Sequence, residues 1–101
     1  MDLQGGHCTW GGDPGGDLFG SPGDVPFHIH HAQIDRTRWI WQNQDLKNRG
    51  KAIAGTITLN NNPPGRNATL GDDIHMGVVT DTVKIGYLMS TVDGPFCYIY
   101  V

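Results

Sequence analysis

From Phe27 to Asn43 the chain has no glycine or proline, and its apolar positions recur with a helical period. Phe27, His31, Ile34, Arg38 and Trp41 fall three or four residues apart, on one side of the predicted helix. Ser21-Pro22-Gly23 makes a turn before it, Asp24 is a natural N-cap, and Pro26 is tolerated in a first turn. Trp39, Ile40 and Trp41 leave the second half apolar on nearly all sides, as in a helix buried inside a body larger than this chain. Beyond Asn43 the pattern weakens. Ala52–Leu59 reads as a strand-like or extended run, residues 60–71 as a loop, and Met76–Thr80 as a short strand. Val83–Met89 fits a short helix or an extended segment. Gly94-Pro95 breaks the chain before a β-like ending, Phe96–Val101. The reading is mainly α with irregular loops: one long helix plus short β-like segments, in a single partial domain over residues 1–101.

Composition sharpens this. There are 15 glycines in 101 residues, and those crowded between Gly5 and Gly23 make the first fifth of the chain turns and loops. A chain this short buries only about 60–65% of its unfolded surface, so stability calls for a metal, a disulfide or a partner. The net charge of −3 excludes the basic footprint of a nucleic-acid or anionic-membrane binder. No apolar run is long enough to span a bilayer. Met1–Gly6 has no secretory leader character. Cys8 and Cys97 stand far apart without a CxxC pattern. Asn67-Ala68-Thr69 is a glycosylation sequon, relevant to a secreted chain.

The chemistry gathers on the histidines. Imidazole is a strong ligand for copper, zinc and iron. Such a ligand usually needs its second nitrogen held by a carboxylate, carbonyl or water. His31 is the candidate ligand on the helix. Asp35, one turn on, is a candidate orienter, and His30 stands beside them. The plain alternative is a buried histidine bonded to a carbonyl. His7, after two glycines, can bring a second imidazole close. His28 reads as an exposed helix residue, and His75 stands in a separate segment. Cys8 reads as a small apolar residue. Trp39, Trp41, Tyr98 and Tyr100 read as core. Asp13, Asp17 and Asp24 do not have the spacing of a calcium loop.

Several stretches together resemble the carboxy-terminal part of a fungal tyrosinase-like protein. They are Gly5-Gly6-His7, Gly11-Gly12-Asp13-Pro14-Gly15-Gly16-Asp17, Ser21-Pro22-Gly23-Asp24, Phe27, residues 30–36, Trp39-Ile40-Trp41-Gln42 and Gly94-Pro95-Phe96-Cys97-Tyr98. The central motif is the second copper-binding signature of tyrosinases and haemocyanins. It reads Asp-Pro-any-Phe-aromatic-any-any-His, then three residues and Asp. The resemblance implies a four-helix bundle holding two coppers, each on three histidines, and oxidation of phenols and catechols by dioxygen. It implies His31 and His7 as ligands of the second copper, Asp35 as the motif's aspartate, and His30 as the neighbour that does not ligate.

The departures carry equal information. Leu3 stands where the first ligand of the second copper belongs, and Val25 and His28 replace the motif's proline and aromatic. Arg38 replaces a tryptophan. The first copper's ligands have no counterpart in this sequence. The resemblance therefore implies a tyrosinase-like oxidase of phenolic small molecules, in pigment or secondary-metabolite synthesis, represented by its final part and inactive alone. Two other readings stand beside it. One is a non-catalytic remnant that associates with another chain to complete the bundle. The other is a mononuclear metal protein using His7, His31 and Cys8.

Overall fold

One helix dominates: α1, Val25–Asn43. The computed structural model describes residues 16, 17 and 19–101. The chain divides into two units, residues 1–41 and 42–101.

In the first unit a chain of small polar devices leads into α1. The Asp17 carboxylate accepts the N–H groups of Phe19 at 2.7 Å and Gly20 at 3.0 Å. Those two bonds stabilise the ionised form and hold its pKa below the usual range. A single 3₁₀ turn, Ser21–Gly23, follows, with Ser21 buried. Asp24 is extended (φ −101°, ψ 137°), the conformation an N-cap requires, and its carbonyl accepts the Phe27 N–H at 3.2 Å. The helix begins at Val25, two residues earlier than its apolar pattern indicates. Pro26 can stand in the first turn because N–H groups there have no intrahelical acceptor.

The buried side of α1 is only partly the predicted one. Phe27, His31 and Ile34 are half-buried, whereas Arg38 and Trp41 are exposed. Val25 (72% exposed), Ile29 (67%) and Ile40 form an apolar stripe on the opposite, solvent-facing side. The expectation that the tryptophan-rich half is core is corrected: Trp41 is exposed and Trp39 half-buried. Tyr98 is likewise exposed and Tyr100 half-buried.

The second unit is built from short pieces. Gln42, only 6% exposed, donates from Nε2 to the carbonyls of Gly50 and Met89, both at 3.2 Å. A one-turn helix, α2 (Leu46–Arg49), is capped by Asp45, whose carboxylate accepts from the Asn48 backbone at 3.3 Å and the Asn48 side chain at 2.8 Å. The side-chain bond is the main cause of a lowered Asp45 pKa. In the run over 52–59, Gly55 adopts φ +128°, and the pairing is an isolated antiparallel bridge of Thr56 to Asn67, made by the Ile57 N–H to the Arg66 carbonyl at 3.1 Å and the Ala68 N–H to the Gly55 carbonyl at 2.9 Å. Among the described residues one two-stranded ladder joins β1 (Asp73–Ile74) to β2 (Val83–Lys84), pairing Asp73 with Lys84 and Ile74 with Val83. The strand expected over 76–80 is instead the turn between them. Gly77 is left-handed at φ +63° and the Val79 N–H donates to the Met76 carbonyl at 3.2 Å, closing the chain on itself. The segment over 83–89 is both things the pattern allowed, strand and then a 3₁₀ turn, Ile85–Leu88.

Residues 96–101 join no strand among the described residues. The Tyr98 N–H donates to the Thr91 carbonyl at 2.9 Å, and alternate aromatic rings meet along the segment. Phe96 meets Tyr98 at 6.0 Å and Tyr98 meets Tyr100 at 5.7 Å, both edge to face. Gly94 (φ +65°) is required where it stands, because a β-carbon there would lie 2.6 Å from the Tyr87 carbonyl oxygen. Among the described residues Met89, 8% exposed, is the one buried hydrophobic side chain.

Candidate metal centre

The helix determines how His31 is presented. Phe27 lies four residues before it, so the two rings share a face. They stack with centroids 4.1 Å apart and planes 30° from parallel. A ring held face to face over a half-buried phenyl loses rotational freedom, which fixes the direction of the imidazole. His30 meets the same imidazole edge to face at 5.9 Å, with planes at 84°. A step of one residue along a helix turns the side chain by about 100°, so these two imidazoles point apart. Asp35 is half-buried and one turn beyond His31, on its side of the helix.

The other histidines are occupied elsewhere. His28 is exposed, and its Nε2 lies 3.1 Å from the Pro22 carbonyl oxygen, tying the start of α1 to the preceding turn. His28 also meets Phe27 edge to face at 5.3 Å. His75, exposed on the hairpin, places Nδ1 3.0 Å from the Thr82 hydroxyl. Cys97 is an exposed free thiol. His7 and Cys8 lie outside the described residues. Among the described residues no three of His, Cys, Asp and Glu come together to hold a metal ion. The described part of the candidate centre is therefore one oriented imidazole with His30 and Asp35 beside it. It falls short of a three-imidazole copper site.

Sequence reasoning did not find the Phe27–His31 stack or the Gln42 clasp. The first was available as an i, i+4 aromatic pair. The second had no local signal, because the Met89 carbonyl lies 47 positions away.

Relatives extend this geometry. Residues 4–44 match the tyrosinase family, in the part described as the common central domain of tyrosinase. That segment contains His7, His30, His31 and Asp35. Oxidase hkm6 of Aspergillus hancockii is 36% identical over 84 residues, 83% of this chain and 29% of that protein. The tyrosinase-like protein orsC of Emericella nidulans is 50% identical over 58 residues, 55% of this chain and 16% of that protein. From the same fungus, N-acetyl-6-hydroxytryptophan oxidase ivoB is 37% identical over 102 residues, covering 95% of this chain and 27% of its own length. Among solved structures, a variant polyphenol oxidase from Thermothelomyces thermophila superposes with a TM-score of 0.83 and 41% identity, over 98% of this chain and 29% of that one. The chain thus spans less than a third of the length of each of these relatives, and within that span it has the polyphenol oxidase fold. With a half-buried, phenyl-stacked histidine one turn before an aspartate inside the matched segment, the chain belongs to the fungal tyrosinase-like proteins.

Proposed function

We propose that this chain is the second-copper part of an oxidase that acts on phenols or catechols, with His31 and His7 as copper ligands. The observation that carries the reading is the match of residues 4–44 to the tyrosinase central domain, which spans both histidines. In such an oxidase a copper pair supplies dioxygen activation. The residues of this chain would hold and aim one side of that centre. Phe27 restrains the His31 ring by stacking on it. Asp35, on the same side, is the group suited to steer the second ring nitrogen. The remaining ligands and the rest of a four-helix bundle would come from polypeptide outside these 101 residues.

Two measurements test the reading. The chain is loaded with copper, and bound metal is measured beside a His31→Ala variant. Loss of at least half the bound copper in the variant is expected, and equal copper in both removes His31 as a ligand. Oxygen uptake with a simple catechol should stay at the level of free copper for the chain alone. Turnover above that level overturns the claim that the centre is incomplete.

A second reading has an observation of its own. The exposed stripe of Val25, Ile29 and Ile40 on α1 suits a non-catalytic protein whose helix is covered by another chain. Size-exclusion chromatography with light scattering tests it, since a monodisperse monomer that binds no hydrophobic dye speaks against such a role.

A further inference from the structure

The sequon Asn67-Ala68-Thr69 takes no part in the oxidase reading, and its surroundings suit a different chemistry. We propose that Asn67 is the attachment site of an N-linked glycan. The main chain there is fixed: Asn67 pairs antiparallel with Thr56, and the Ala68 N–H donates to the Gly55 carbonyl at 2.9 Å. The side chain is not tied down. Asn67 is exposed and its side-chain amide has no hydrogen-bond partner among the described residues. Its neighbour Arg66 is engaged by other groups than that amide, with Nη1 donating to an Asp72 carboxylate oxygen at 2.9 Å and to the Asn67 main-chain carbonyl at 3.0 Å. The stretch from Leu59 to Asn67 is exposed throughout, so a bulky saccharide displaces no packed group. The middle residue is alanine rather than proline, and the third is an exposed threonine whose hydroxyl donates to the Asp72 carboxylate at 3.1 Å, which completes the acceptor pattern.

The transfer balances with one co-reactant, an oligosaccharide carried on a polyprenyl pyrophosphate. The Asn67 amide nitrogen forms a bond to the anomeric carbon. The bond from that carbon to the pyrophosphate oxygen breaks, the leaving group takes the electron pair, and the amide gives up one proton. The proposal requires the chain to pass through the secretory lumen, directed by a leader that Met1–Gly6 does not supply, and it stands or falls independently of the copper reading.

The test uses protein purified from the organism that makes it. The protein is treated with a glycan-releasing amidase in heavy-oxygen water and digested. The expected result is a loss of apparent mass, with the residue-67 peptide appearing only after treatment and carrying labelled aspartate. N67Q and T69A abolish the shift, and T69S keeps it. Unmodified Asn67 at full yield without amidase overturns the proposal, as does a shift that survives in N67Q. Asn67→Gln alters an exposed, unbonded side chain, so its circular dichroism should match the parent. If that spectrum changes, the T69S and T69A pair decides the question.

Discussion

The two units hold their shapes by different means. In residues 25–41 the order is that of one long helix, and the side chains on it are free to be specialised: a phenyl under an imidazole, an aspartate one turn on. In residues 42–101 there is little repeating backbone. Single polar side chains reach across loops, as Gln42 does to Gly50 and Met89 and as Asp72 does to Arg66 and Thr69. The lesson is about robustness. A helix spreads its stability over many equivalent bonds, whereas a loop structure concentrates it in a few irreplaceable ones.

That contrast predicts where substitution does most damage. Gly94→Ala should have the largest effect, because it forces a left-handed residue, at about 1–2 kcal/mol, and adds a clash with the Tyr87 carbonyl. Denaturant unfolding should show a loss of about 2 kcal/mol or more. Gln42→Leu comes next. It strips the Met89 carbonyl in a buried setting and the Gly50 carbonyl in a part-buried one of their donor, and leaving a buried acceptor unsatisfied costs about 1–3 kcal/mol. Hydrogen exchange should accelerate around residues 50 and 89–91 while the first turns of α1 keep their protection. An equal acceleration over residues 27–35 would erase the distinction between the two units.

Phe27→Ala is a smaller and more local change. An aromatic pair of this kind contributes about 0.5–1.5 kcal/mol beyond burial. The expected result is an unchanged helix signal together with a changed His31 ring resonance and weaker copper retention. A sharp fall in helicity would show that the phenyl holds the backbone as well as the ring.

The smallest effect concerns Asp72. The Arg66 guanidinium first, then the Thr69 backbone N–H, hold its carboxyl far below the usual carboxylate range. A depressed folded-state pKa contributes stability that is fully present above the unfolded value, about 3.9, and lost as pH falls through the folded value. Chemical shifts of residues 66–72 should therefore stay constant from neutral pH down past 3.9 and move only in stronger acid. In Asp72→Asn that acid step should vanish.

How much of this was legible in the chain follows the same division. The helix was readable because Asp24, Pro26 and the repeat from Phe27 onward are local signals that agree with one another. The bridge at Thr56 and the ladder at 73–84 were not readable. Val78 and Val79 look like strand residues, yet Gly77 turns the chain under them, and a two-residue ladder leaves no alternation to detect. Arg38 and Trp41 misled for a different reason. The period placed them beside Phe27 and His31, but burial depends on what lies opposite, which no helical repeat records. For the candidate centre, His31 and Asp35 were visible as a motif. The ring stack that aims His31 needed coordinates.

Met89 carries a calorimetric consequence. With one fully buried hydrophobic side chain among the described residues, unfolding of those residues exposes less new apolar surface than a packed core would, and their heat-capacity increment should fall below the usual 12–15 cal/mol/K per residue. The stability curve would then be flat, the thermal transition broad, and the dependence on urea shallow.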